Sequence, residues 1–203
     1  IFSSAKSFPI WNDGESYVMS ITAEAQTMFA NQNMLDAVGA GIPTTFDELL
    51  STGKKLKSGD VAGVAMRSKA DGSAGTWPCG GFVFSNGGVV IQDGKCMLDS
   101  PEAIEAVQYY GSILNEAGPL GVGNYHWYEC LNDYMQEAVA IGLDSSNFAT
   151  DIENPEKSNA AGHTTYGAMV SGPGKQAKPN MWHWMAGINS KSQQKAAAFL
   201  FLT

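Results

Sequence analysis

The stretch from Asn124 to Ser146 constrains the fold most, because it places a polar aromatic loop, a short helix, a buried strand and a second polar loop in one run. The apolar run 139–143 is typical of a strand that is buried in an α/β sheet. Asp144, Ser145 and Ser146 follow it directly. In open α/β sheets ligands collect beyond the carboxyl ends of the strands, so this edge is a candidate binding site.

The loop before this strand suits a sugar. Asn124, Trp127 and their neighbours offer flat apolar faces beside hydrogen-bonding tips, and a sugar ring is likewise apolar on its faces and polar on its rim. The polar residues after the strand have two interpretations that the residues alone leave open. Asp144 and Ser145 contact a ligand, or one of these side chains caps the segment that begins near Asn147.

The composition predicts one compact globular domain, or one lobe with part of another, and argues against several kinds of partner. Hydrophobic residues make up 44% of the 203 residues and charged residues 16%, with a net charge of −8. The twelve Lys and Arg residues are scattered, which argues against binding to nucleic acid or to an anionic membrane surface. No apolar run approaches the ~20 residues that span a bilayer, so direct membrane insertion is not expected.

The sequence carries no motif for catalysis, for a cofactor or for a metal. It contains no match to G-x-S-x-G, H-E-x-x-H, a P-loop or a dinucleotide fingerprint. The histidines and cysteines lack the spacing of metal ligands. The sequence therefore predicts a protein that is not an enzyme and that needs no cofactor. The alternative is a carbohydrate-active hydrolase domain that uses Glu129 and Asp144 as its carboxylate pair.

Strands alternate with helices along the chain, which predicts an α/β sheet. The clearest helix starts are Thr45, with Glu48 three residues later, and Ser100, with Pro101 at the first helical position. The predicted strands are 17–21, 61–66, 139–143, 166–170 and 181–188, with a small hairpin at 89–98. The predicted helices are 24–38, 46–57, 101–117 and 191–202.

Several ordered motifs resemble those of a known family. They are Gly41-Ile42-Pro43 with Thr45-x-x-Glu48-Leu49, a strand ending in Arg67 before a Gly-rich loop and Trp77, the helix start Leu98-Asp99-Ser100-Pro101-Glu102, the segment Asn124-Tyr125-His126-Trp127 with Glu129, and the strand end Asp144-Ser145-Ser146. In this order they resemble the extracellular solute-binding proteins of ATP-driven sugar and polyol importers, the group that includes maltose-binding protein. The resemblance runs through nearly the whole chain.

The resemblance implies an α/β fold of the periplasmic-binding-protein type, specifically a type II lobe with a central sheet flanked by helices, as a fragment of a two-lobe fold. Residues 1–23 would be a hinge-proximal segment from the first lobe, and residues 24–184 the second, ligand-binding lobe. Residues 185–203 would be a hinge crossing and the start of a first-lobe helix. The implied function is periplasmic or extracellular capture of a sugar or polyol between two lobes and its delivery to the permease subunits of an ABC importer.

The resemblance also implies a set of ligand-binding residues. They are Glu24, Arg67, Trp77, Asn124, Trp127, Glu129, Asp144, Ser145, Trp182 and Trp184. We expect Arg67 and Asp144 to bond to ligand hydroxyls rather than to each other. For Trp77 and Trp127 the alternative is packing within the lobe. Trp182 and Trp184 are two apart on a predicted strand, so they share a face from which His183 points away.

Overall fold

The computed structural model describes residues 13–71 and 75–202 and divides the chain into two compact units. The larger unit is Ala25–Asn180, and the smaller unit combines Ile1–Glu24 with Met181–Thr203. Residue 24 and residues 181–184, which the resemblance places in the ligand-binding lobe, belong to the smaller unit. Residues 1–12 of the expected first-lobe segment and 72–74 of the Gly-rich loop lie outside the described residues.

Strands and helices alternate in the described residues. The strands are β1 (Met19–Asn31), β2 (Ala62–Ala65), β3 (Ile91–Gln92), β4 (Lys95–Cys96), β5 (Val139–Ser145), β6 (Thr164–Gly167) and β7 (Met181–Ala186). The helices are α1 (Gln32–Ala37), α2 (Phe46–Leu56), α3 (Thr76–Ser85), α4 (Pro101–Ala117), α5 (Trp127–Met135), α6 (Ala149–Ile152) and α7 (Lys195–Leu202), with short 3-10 turns at Val122–Asn124 and Ser146–Phe148. None of the helices in the described residues is long and apolar enough to cross a membrane.

The central sheet of the larger unit has the strand order β2-β5-β1-β6. Strand β5 runs parallel to β2 and antiparallel to β1, and β1 runs antiparallel to β6. β3 and β4 form the predicted hairpin around Asp93 and Gly94, both of which have positive φ. An Asp-Gly pair favours that backbone conformation, which explains why this turn could be predicted from the sequence.

The predicted capping residues of α2 and α4 are confirmed by the structure. Thr45 accepts from the Glu48 backbone N–H, and the Glu48 carboxylate accepts from the Thr45 N–H, which confirms the predicted capping box of α2. The Ser100 side chain caps α4, Pro101 is its first residue, and the helix ends before Gly118 as predicted. Apart from the first strand and the first helix, the remaining predicted elements overlap the observed ones and differ by a few residues at their ends.

The predicted helix 24–38 is wrong over its first half, because β1 continues to Asn31 and only then does the short helix α1 begin. Met28 and Phe29 are consecutive buried residues that point to opposite faces of the sheet, and they pack into two different core clusters. β1 pairs with β5 on one side and with β6 on the other. An interior strand buried on both faces carries no alternating pattern, so its apolar residues resemble a helical stripe.

Two apolar layers cover the two faces of this sheet. The larger layer packs α2, α3 and α4 against one face, and the smaller layer packs α5 and α6 against the other. At two positions a glycine allows neighbouring elements to pack in close contact. A Cβ on Gly142 would lie 2.0 Å from the Phe29 ring, and one on Gly63 would lie 1.8 Å from the Gly53 carbonyl oxygen. The larger unit is therefore a central sheet flanked by helices, as the sequence predicts.

Candidate functional site

The carboxyl ends of two parallel strands meet at one edge of the sheet. Val64 pairs with Ile141 and Ala65 with Gly142, so the parallel strands β2 and β5 keep one register. Two residues beyond the last of these pairs, the same register brings Arg67 beside Asp144. Neighbouring parallel strands thus place a cation and an anion, far apart in sequence, at one point of the edge where α/β sheets bind ligands.

Arg67 and Asp144 form a bidentate ion pair. The Arg67 Nε donates to Asp144 Oδ2 at 2.8 Å, and a terminal guanidinium nitrogen donates to Oδ1. The backbone N–H of Ser145 also donates to Oδ1, at 2.6 Å. The prediction that Arg67 and Asp144 would not pair with each other is therefore wrong. The Asp144 residue is only 1% exposed, and a carboxylate at that depth requires a counter-charge and several donors.

Trp77 lies against this ion pair. The residue is second in α3, and the Arg67 guanidinium carbon is 5.0 Å from the centre of its ring. That distance is within the range of a cation–π contact. The Trp77 Nε1 is buried and has no hydrogen-bond partner among the described residues. Trp77, Arg67 and Asp144 together form a group that we call the Trp77 cluster.

The loop after β2 is tied to the loop before α5. The backbone N–H groups of Ser68 and Lys69 both donate to the Tyr125 carbonyl, at 2.9 and 3.0 Å. The Ser68 hydroxyl donates to the Val122 carbonyl. Asn124, one of the predicted ligand residues, is an exposed member of this second loop. The bonds hold the predicted loop residues to the strand end that carries Arg67.

The phenol of Tyr125 fixes this loop from the other side. Its hydroxyl donates to Asp133 at 2.6 Å, within helix α5. Burial, together with this hydrogen bond, raises the pKa of the Tyr125 phenol, so it stays protonated and remains a donor. The loop is therefore anchored at its backbone to β2 and at its side chain to α5.

Trp127 is presented by a capped helix end. It is the first residue of α5, and its backbone N–H donates to the His126 Nδ1 at 2.8 Å. The Glu129 carboxylate accepts from the His126 N–H at 2.9 Å, which completes a capping box. The Trp127 residue is 42% exposed, and its ring centre is 6.0 Å from that of Phe148. Glu129, predicted as a ligand contact, thus has a structural bond that orients the helix end.

The capping interpretation of the strand end is confirmed for Ser145. The Ser145 hydroxyl oxygen accepts from the Asn147 N–H at 3.1 Å and caps the turn Ser146–Phe148. Asp144 instead holds Arg67. The Ser146 hydroxyl oxygen accepts from the Ala25 N–H at 3.1 Å, and so ties this turn to β1.

Three predicted ligand residues belong to the smaller unit. Trp184 donates from Nε1 to Glu24 Oε1 at 2.7 Å, and its ring centre lies 6.1 Å from that of Trp182. Both tryptophans are about half exposed, whereas His183 is buried and its Nδ1 lies 2.9 Å from the Ser20 hydroxyl. The shared face of Trp182 and Trp184, opposite His183, is confirmed. β7, which carries them, pairs with β1.

One neighbour of the Trp77 cluster was not predicted from the sequence. The buried Tyr110 hydroxyl donates to the Arg67 carbonyl from helix α4. Its place on the buried stripe of that helix was visible in the 3.6-residue period, but its partner on another element was not. The described parts of the chain contain no group of three or more His, Cys, Asp or Glu residues that could hold a metal ion.

Comparison with known proteins shows which proteins this chain resembles. The family model described as bacterial extracellular solute-binding protein matches residues 3–203. A protein of Deinococcus radiodurans, named as a probable ABC transporter-binding protein, is 24% identical over 197 residues, which are 91% of this chain and 46% of that protein. The chain thus spans about half the length of this curated relative.

Solved structures show the same fold. An ABC transporter solute-binding protein of Agrobacterium vitis with bound D-mannitol matches 95% of this chain and 47% of its own, with a TM-score of 0.86 and 21% identity. A solute-binding protein of Agrobacterium radiobacter in complex with ribitol matches 100% and 52%, with a TM-score of 0.85 and 24% identity. The prediction of a type II periplasmic-binding-protein lobe, as part of a larger fold, is confirmed.

Proposed function

The chain belongs to the bacterial extracellular solute-binding proteins, and we propose that it binds a sugar or polyol outside the cytoplasmic membrane for uptake by an ATP-driven importer. The observation that carries the proposal is the Trp77 cluster at the carboxyl ends of β2 and β5. It combines an aromatic face with a paired charge at the edge of the sheet where α/β folds bind ligands.

The chemistry of the cluster suits a neutral, hydroxyl-rich solute. Indole rings offer flat apolar surface to the C–H faces of a sugar or to the carbon chain of a polyol. Arg67 and Asp144 cancel in charge, so the cluster places no net charge beside the solute. The bidentate ion pair holds both side chains in one conformation before the solute binds. Binding therefore costs less conformational entropy.

The relatives support the class of ligand. The two Agrobacterium solute-binding proteins hold D-mannitol and ribitol, which are acyclic neutral polyols. Their identity with this chain is below 25%, so their ligands guide the choice of probes and their fold is what they share with it. D-Mannitol and ribitol are therefore the first compounds to test.

The proposed mode of capture uses two lobes. The relatives are about twice as long as this chain, and the larger unit would supply one wall of the binding site while the rest of the protein supplies the other. Closure of two lobes about a hinge would enclose the solute and present the closed form to the permease subunits of the importer.

A hydrolase is not favoured by the arrangement of the carboxylates. Glycoside hydrolysis requires two acids that flank one bond, one as a proton donor and one as a base or nucleophile. Asp144 is instead held by Arg67, and Glu129 accepts a backbone N–H at the start of α5. The family is one of binding proteins and not of enzymes, which agrees with the sequence-based prediction.

A thermal-shift screen of the full-length protein tests the proposal. D-Mannitol, ribitol, D-glucose and maltose are screened beside gluconate and glutamate, which are charged controls. A bound solute at about 100 times its Kd adds about 2.7 kcal/mol to the free energy of unfolding, so Tm should rise by several degrees with at least one neutral compound. A rise with the charged controls alone, or turnover of a chromogenic glycoside, would contradict the proposed function.

A further inference from the structure

Two amide side chains, one buried on Gln26 and one part-buried on Asn180, hold the helix turn that carries Trp77. We propose that Gln26 and Asn180 are positioning residues, which set the orientation of the Trp77 ring for a bound sugar or polyol. This inference rests on the proposed function, because it assigns a role within the same site. Neither residue belongs to the set that the resemblance implied.

The hydrogen bonds form one continuous network. Asn180 Nδ2 donates to the Trp77 carbonyl at 2.7 Å, and Gln26 Nε2 donates to the Pro78 carbonyl at 3.1 Å. The backbone N–H of Gln26 donates to the Asn180 carbonyl at 2.9 Å, so the two donors are fixed to each other. Consecutive carbonyls of α3 are thus held by two segments that lie far apart in sequence.

The first turn of α3 needs such support. Its N-cap residue is Gly75, and among the described residues no side chain caps the helix end. An uncapped first turn is the part of a helix that shifts most easily, because its N–H groups have no partners within the helix. Trp77 is the second residue of this turn, so a shift there would move its ring relative to Arg67, now 5.0 Å away.

Two glycines of helix α3 leave space for the two amide side chains. A Cβ on Gly81 would lie 1.8 Å from Gln26 Oε1, and one on Gly80 would lie 3.0 Å from Asn180 Nδ2. Glycine is disfavoured inside helices, yet this helix carries two of them side by side where the amides pass. Their presence keeps open the space that the two donors occupy.

Stability alone does not account for Gln26. The residue is buried, and its Oε1 has no hydrogen-bond partner among the described residues. A buried acceptor without a partner is unfavourable, and a methionine of similar length would fill the space without it. What the amide adds is the donor to Pro78, which an apolar side chain would lack.

The two donors also lie at the chain connections of the larger unit. Gln26 is the second residue of that unit and Asn180 is its last. A rotation of the backbone at either connection would therefore move a group that is bonded directly to the Trp77 turn. This links the positions at which the chain enters and leaves the unit to the aromatic face of the proposed site.

A ligand-independent experiment tests the positioning of Trp77. The full-length protein is labelled with 5-fluorotryptophan, and the Trp77 resonance is assigned as the one that Trp77→Phe removes. Asn180→Ala and Gln26→Met should each shift or broaden this resonance. The matched control is Asn86→Ala, which removes a buried amide at the other end of the same helix, where Nδ2 donates to the Glu102 carbonyl at 2.9 Å.

The control should lower Tm without moving the Trp77 resonance. A Trp77 resonance that stays in place in Gln26→Met and in folded Asn180→Ala, or that moves equally in Asn86→Ala, would overturn the proposal. Gln26→Met keeps the side-chain volume, so it supplies a folded variant even where Asn180→Ala is too unstable to measure.

Titration with D-mannitol and ribitol gives the second readout. Asn180→Ala should raise Kd about tenfold in the parent protein and have no further effect in a Trp77→Ala background, because it acts through the ring. An equal loss in both backgrounds would show that Asn180 acts independently of Trp77 and would overturn the inference. If neither compound nor any other sugar binds while the fluorine resonance responds as expected, the positioning of Trp77 is upheld and the proposed ligand class fails.

Discussion

Replacing Arg67 with alanine is expected to lower the free energy of unfolding by about 3 to 5 kcal/mol, because it removes one member of a buried ion pair. Asp144 is 1% exposed and the Arg67 side chain 16% exposed, so solvent screens this ion pair little. The carboxylate would remain buried without the counter-charge that now bonds both of its oxygens. Urea denaturation followed by circular dichroism measures the change.

An exposed ion pair provides the control for this variant. Lys54 pairs with Glu116 between α2 and α4, and both side chains are about half exposed. Lys54→Ala should cost less than about 1 kcal/mol, since solvent screens such pairs. The double variant Arg67→Met with Asp144→Leu should recover much of the stability that Arg67→Ala loses, because no buried charge then remains. A loss in Arg67→Ala no larger than in Lys54→Ala would show that the pair is not structural.

The 203-residue chain by itself is expected to bind its solute about a thousandfold more weakly than the full-length protein. A solute held between two lobes gains affinity from burial on both sides and from the exclusion of water on closure. If half of a micromolar interaction of about −8 kcal/mol is lost, the remaining affinity is millimolar. Calorimetry on the two proteins side by side, with circular dichroism to show that both are folded, measures the difference.

Equal and tight binding by the short chain and the full-length protein would contradict the two-lobe mode of capture. It would show that the complete site lies within these residues. The assignment of the Trp77 cluster to ligand binding would survive that result, since the cluster lies within the larger unit.

The sequence predicted the features that short-range chemistry determines. The capping residues Thr45 and Ser100 and the Asp-Gly turn depend only on their immediate neighbours, and the structure has all three. The second half of β1 was mistaken for a helix because its pairing with β5 and β6 is a long-range property. Burial on both faces removes the alternation by which an isolated strand is recognised.

The candidate site likewise combines features that the sequence predicted with long-range contacts that it did not. Arg67, Trp77 and Asp144 could each be named from the resemblance, but their contacts depend on the register between β2 and β5, which no local pattern contains. The expectation that Arg67 and Asp144 stay apart failed for this reason. Gln26 and Asn180 gave no signal, because single polar residues acquire a partner only when distant segments meet.

Calorimetric titration of the full-length protein and its Trp77→Ala variant with D-mannitol and ribitol tests whether the Trp77 ring contacts the bound solute. Truncation of a buried aromatic contact typically costs about 2 kcal/mol or more, so Kd should rise about thirtyfold in Trp77→Ala. Tyr109→Ala is the control, because it removes an aromatic ring that packs on Phe46 and bonds to Asp47, on the α2 side of the core. Trp77→Ala should bind the solute more weakly and Tyr109→Ala with an unchanged Kd, and a folded Trp77→Ala variant that binds as tightly as the parent would contradict the proposed role of the Trp77 cluster.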